Sequence, residues 1–217
     1  MTTFVLIHGG FHGAWCWYKV IPLLERIGHR VIAPDLASLG SDKTPISKVA
    51  PNTWADSIIQ ILDAETDPVV LVGHSRGGLI ISQAAEARPE KSKTLVYLSG
   101  VLLQNGQFAS ESLELDPESL IGPNLIINNE EGYATIRKTA IRQVFYADCR
   151  EEDVVLARLM LQPEAMAPLT VPLHITPENF GRIPRVYIEK VLGVRFQVLG
   201  MIGRLMPSST SLKTHSM

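Results

Sequence analysis

Three runs of β-branched and aliphatic residues, FVLI at 4–7, VVLV at 69–72 and LVYL at 95–98, each end at a turn containing glycine. Runs that are apolar at every position suit strands covered on both faces, and such strands belong to parallel sheets flanked by helices. The segments between them carry the helical period. Val20, Ile21, Leu23, Leu24 and Ile27 recur at that spacing, with Gly28 where a C-terminal cap belongs. RVIAPD at 30–35 reads as a short strand. Asn52 or Thr53 can cap a helix presenting Trp54, Ile58, Ile61 and Leu62, and GGLIISQAAEARP gives another helix closed by Pro89. Strand and helix therefore alternate over the first hundred residues. That order predicts the α/β class, with a mainly parallel sheet and helices on its faces.

The alternation stops after Gly100. From Gln104 to about Arg182 the chain turns acidic and helical in short pieces, such as NNEEGYATIRKTAIRQVFY and REEDVVLARLMLQPEAM, before PRVYIE at 184–189 resumes a buried strand. The expected division of a single domain is a core formed by residues 1–103 and 183–217, and a helical cap inserted at 104–182. A length of 217 residues with 46 % hydrophobic content is enough for one such core. The formal charge of −2 is spread without basic runs. It offers no footprint for nucleic acid or an anionic membrane, so a small neutral ligand is expected. Cys16 and Cys149 are too few for a disulfide framework and lack CxxC metal spacing, and no basic-then-apolar leader precedes Phe4. A cytoplasmic setting is expected. The apolar stretch from Val191 to Met206, interrupted by Arg195, Gln197 and Arg204, is short for a bilayer and reads as a packed helix or strand.

Chemistry is concentrated at LVGHSRGG, where Gly73, Ser75 and Gly77 form GxSxG between a predicted strand and a predicted helix. A serine in that setting sits on a sharp turn that lifts its hydroxyl above the sheet as a nucleophile. Acyl transfer also needs two donors for the developing oxyanion. The amides of Gly10, in the turn after the first strand, and of Arg76 are assigned to that role, with Phe11 as the substitute if the first loop is shifted by one. Phe11, His12 and Trp15 are expected near the acyl pocket. His8 and His74 are expected to be structural.

FVLIHGGFHGAWCW, VIAPDLASLG, LVGHSRGG and PLHITPENFGRIPRVYIE together resemble the α/β-hydrolase superfamily, in the branch of plant methylesterases, hydroxynitrile lyases and bacterial carboxylesterases. The resemblance implies a cap inserted into the core sheet, catalysis without a cofactor or metal, and hydrolysis of small to medium hydrophobic carboxylic esters through an acyl-enzyme. Lyases of the branch carry threonine directly after the first-loop histidine. Gly9 stands there in this chain, which favours ester hydrolysis.

The resemblance also implies a histidine base near the chain's end, and His215 is the candidate. The matching position for the acid falls near Gly193, which has no side chain, and Glu189 is a weaker substitute, so the catalytic acid is left unassigned. The end of the chain, from Lys190 onward, is expected to be atypical, truncated or frame-shifted. Loss of a final helix would expose apolar sheet and favour a homodimer or low stability. Two further readings follow. A non-catalytic ligand-binding protein would keep the pocket with a broken triad. A dinucleotide site would require glycine at position 8, where GxGxxG registration places His8.

Overall fold

The computed structural model describes residues 1–109, 111, 119–189 and 197–201, the last by backbone alone. Its main sheet has six strands: β1 (Thr3–Ile7), β2 (Arg30–Ile32), β3 (Val69–His74), β4 (Ser92–Leu98), then Arg185–Glu189 and Gln197–Met201. Their spatial order places β2 at one edge, followed by β1, β3, β4, Arg185–Glu189 and Gln197–Met201. The first five are parallel and Gln197–Met201 closes the sheet antiparallel. The α/β prediction thus matches the observed fold.

Side chains alternate across the sheet, as the pleat requires. Val5 and Ile7 join Leu71, Leu95 and Tyr97 under helices α2 (Thr53–Ala64) and α3 (Gly77–Ala87), which contribute Trp54, Ile58, Leu62, Ile81, Ala84 and Ala85. Leu6, Val70 and Val72 face the other way, onto Trp17 and onto Ile21 and Leu24 of helix α1 (Ile21–Arg26). Gly28 follows α1 at φ 85°, the left-handed conformation expected of its cap.

The strand order reverses beside β1. The chain leaves β1 toward β2 on one side and returns in β3 on the other, so the loops following β1 and β3 diverge at their carboxyl ends. Open α/β sheets place ligands in that crevice.

The insertion is mixed rather than wholly helical. It contains α4 (Ile121–Asn124), α5 (Ile141–Phe145) and α6 (Glu151–Met160), together with a three-stranded antiparallel sheet. That sheet is built from β5 (Leu125–Asn128), β6 (Tyr133–Ile136) and β7 (Glu164–Ala165). The expected helix across NNEEGYATI is instead a hairpin. Asn128 Oδ1 accepts the Glu131 amide at 3.0 Å, and Gly132 takes φ 71°, so local turn chemistry overrides the helical period of the following residues. In chain order, Arg185–Glu189 is β8 and Gln197–Met201 is β9.

Candidate active site

Ser75 stands between β3 and α3 at φ 51°, a left-handed conformation unusual for a residue with a Cβ. The turn is possible because the chain crosses itself at minimal distance. A Cβ on Gly77 would lie 2.7 Å from the Ile7 carbonyl oxygen, and one on Gly9 would lie 3.1 Å from the Ser75 Cβ. The β1 loop is therefore seated directly against the elbow.

Three peptide units fix the directions of the candidate donors, because a planar trans peptide points its N–H opposite its C=O. The Ser75 carbonyl accepts the amides of Gly78 at 3.0 Å and Val101 at 2.8 Å, which turns the Arg76 N–H the other way. The Gly9 carbonyl accepts His8 Nδ1 at 2.9 Å and Arg76 Nη2 at 3.2 Å, which turns the Gly10 N–H outward. Neither the Gly10 nor the Arg76 amide donates to another described residue. The Phe11 amide is engaged: it donates to Glu164 Oε2 at 2.7 Å. Of the first-loop amides considered for the oxyanion, Gly10 is thus the unengaged one.

The three nearby histidines are held neutral. Leu36 donates its amide to His8 Nε2 at 3.2 Å, so the His8 proton resides on Nδ1, and burial with the nearby Arg76 charge pulls its pKa down to about 3. His12 Nδ1 donates to the Gly10 carbonyl at 2.6 Å, while Nε2 accepts the Tyr146 hydroxyl at 2.8 Å. Burial takes His12 down to about 4, against the pull of the Gly10 bond. Desolvation also lowers His74.

Of the expected pocket residues, Phe11 and His12 are buried and Trp15 is half-buried. Phe11 packs with Ala134, Ile136, Ile141 and Ala157 of the cap. His12 stacks on Trp15 at 5.2 Å and meets Phe145 edge-on at 5.4 Å. All three lie where the β1 loop meets the cap.

Sequence reasoning did not identify Glu164 or Tyr146. Glu164 is the more consequential, because it forms a buried ion pair in which Arg76 Nε approaches Oε1 at 2.5 Å, out of line for a hydrogen bond. The Arg76 guanidinium also lies over Trp54, with Cζ 4.0 Å from the ring centroid. Burial pushes the Glu164 carboxyl up and the Arg76 guanidinium down, and each opposes that shift in the other through its charge. The available signal was an arginine at the start of an apolar helix, a buried cation that requires a carboxylate.

His215 and Gly193 lie outside the described residues, and Glu189, at the end of β8, is exposed. Among the described residues no group of three His, Cys, Asp or Glu is arranged to hold a metal, and no helix is long and apolar enough to cross a membrane.

A serine on a left-handed strand-to-helix turn beside two unengaged amides agrees with a comparison across the whole chain, in which the model of the alpha/beta hydrolase family matches residues 4–210. The chain belongs to the alpha/beta hydrolase family. Among its relatives, this hydrolase-family chain is 33 % identical over 199 residues to methylesterase 2 of Arabidopsis thaliana, covering 85 % of this chain and 76 % of that protein. It is likewise 33 % identical over 197 residues to the alpha-hydroxynitrile lyase of Arabidopsis thaliana, again covering 85 % and 76 %. The crystal structure of the Arabidopsis methylesterase protein MES16 superposes with a TM-score of 0.74 at 26 % identity, covering 86 % of this chain and 77 % of that one. The chain spans about half the length of the first curated relatives it matches, 45 %, 50 % and 44 % of three longer Arabidopsis thaliana proteins.

Proposed function

We propose that this protein is a serine carboxylesterase acting on small to medium hydrophobic esters. The observation that carries the reading is Ser75 at φ 51° with the Arg76 and Gly10 amides unengaged beside it. The naming of its relatives as methylesterases supports it. In this mechanism the Ser75 hydroxyl adds to the ester carbonyl as its proton passes to His215. The Gly10 and Arg76 amides hold the oxyanion, and collapse expels the alcohol, which takes the proton back. Water then repeats the sequence on the acyl-enzyme and releases the acid. The amino end of α3 adds a favourable field at the oxyanion. Phe11 and Trp15 are proposed as apolar walls for the acyl group, and the acid that orients His215 is left unassigned.

A lyase reading draws on the hydroxynitrile lyase relative. Gly9 argues against it, because a Cβ there would lie 2.9 Å from His74 Nδ1 and crowd Ser75. Turnover of para-nitrophenyl acetate and butyrate by the wild type and by Ser75→Ala tests the proposal, with fluorophosphonate labelling of Ser75 read by mass spectrometry. The expected result is turnover and labelling that both vanish in Ser75→Ala. Equal rates in the two proteins would overturn the esterase reading and favour ligand binding without catalysis. Cleavage of mandelonitrile dependent on Ser75, without ester turnover, would favour the lyase.

A further inference from the structure

The cap supplies one charged group to the base of the active-site loop. Glu164 of β7 is buried, as is its partner Arg76, with side-chain exposures of 3 % and 8 %. Its two oxygens serve different elements: Oε1 faces Arg76 Nε at 2.5 Å, and Oε2 accepts the Phe11 amide at 2.7 Å. The guanidinium in turn donates from Nη2 to the Gly9 carbonyl at 3.2 Å. Gly9–Gly10 and Gly10–Phe11 are consecutive peptides, so the pair grips the carbonyl end of one and the amide end of the next. The N–H between these two grips is that of Gly10.

The loop needs such a grip. Phe11 takes φ 65°, a conformation that a residue with a Cβ does not hold without support. A Cβ on Gly10 would lie 2.5 Å from Glu164 Oε2, so the carboxylate fills the space directly behind the Gly10 backbone. Two buried charges are also a poor choice for stability alone, since an apolar pair of similar volume is often as good or better.

We propose that Glu164 and the Arg76 guanidinium are positioning residues for ester hydrolysis, holding the Gly9–Gly10 and Gly10–Phe11 peptides so that the Gly10 N–H faces the oxyanion forming at Ser75. The proposal rests on the esterase reading above. The Glu164 carboxylate touches no reacting atom; it acts through the backbone that it holds. Misalignment of one oxyanion donor affects the transition state and leaves ground-state binding of the ester largely intact.

The test compares wild type, Glu164→Gln and the double variant Arg76→Met/Glu164→Leu, with the concentration of reactive Ser75 titrated by fluorophosphonate. The double variant guards against the artefact of a stranded charge, because it leaves no unpaired charge. It does give up the acceptor of the Phe11 amide, so it is expected to melt below wild type but above Glu164→Gln. In both variants kcat per titrated Ser75 is expected to fall roughly 10- to 100-fold, with KM within about twofold, a part of the loss seen on deleting a donor outright. Affinity for a trifluoromethyl ketone, whose Ser75 adduct carries an oxyanion, should fall in parallel. Lys19→Met, which cuts the exposed Lys19–Asp153 pair between core and cap, should leave kcat unchanged. Wild-type kcat per titrated site in the double variant would overturn the positioning role alone. Absence of Ser75-dependent turnover in the wild type would overturn the esterase reading and this proposal together.

Discussion

A Cβ placed on Gly73 would lie 2.6 Å from both the carbonyl carbon and the carbonyl oxygen of Gly77, so the strand entering the elbow and the helix leaving it meet backbone to backbone. Neither contact is a flexible side-chain end that could swing away. Gly73→Ala is expected to lose about 1–3 kcal/mol of stability, as overpacked sites do. Urea denaturation checks the loss, and the fluorophosphonate-reactive fraction of Ser75 should fall with it.

Ser75 itself stores strain at φ 51°. Glycine adopts that conformation freely, whereas alanine keeps the clash of its Cβ. Ser75→Gly should therefore be more stable than Ser75→Ala by about 1 kcal/mol, somewhat reduced by the greater entropy of the glycine chain when unfolded. Thermal melting of the two inactive proteins side by side measures the difference, and an alanine variant more stable than the glycine one would remove the strain argument.

Acid should unfold the protein partly through its buried histidines. Burial lowers His8 from 6.5 to about 3, and His12 and His74 from 6.5 to about 4, in the folded state. The unfolded chain therefore binds more protons between those values, and the associated stability is complete above about pH 6.5 and declines as pH falls toward 4 and then 3. These three groups should contribute an uptake of close to three protons on unfolding near pH 5, by the same linkage. Calorimetry in buffers of different ionisation enthalpy reads the total uptake, and His12→Phe should lower that total by about one proton.

Tyr146 gives His12 Nε2 its partner at 2.8 Å, and His12 is only 7 % exposed. Tyr146→Phe would leave that nitrogen buried without a donor, at a cost of about 1–3 kcal/mol. Urea denaturation provides the check. Because Tyr146 follows α5 of the cap, proteolytic cleavage of the cap should accelerate as well.

The legible parts of this protein were the ones written locally. The strands ending near His8, His74 and Ser99 announce themselves by unbroken apolar runs, and the Ser75 turn by glycines at fixed offsets within one segment. The β5–β6 hairpin was written just as locally, in Asn128 and Gly132, but the helical spacing after it masked the turn. Glu164 was not legible, because its carboxylate meets the Phe11 amide across 153 residues of chain. Nothing in QPEAM separates a buried carboxylate from a solvated one. Tyr146 and His12, 134 residues apart, were hidden for the same reason.

The pairing of Arg76 with Glu164 also restricts how this sequence can drift. Replacing either residue alone strands its partner's charge in the interior, which is strongly destabilising, whereas replacing both with apolar residues need not be. Each one-step route between the charged and the apolar solution therefore crosses a valley. A cap grafted from another member of the family would have to bring a residue at position 164 that suits Arg76, so cap and core are expected to be exchangeable only as a matched unit even though the cap is an insertion.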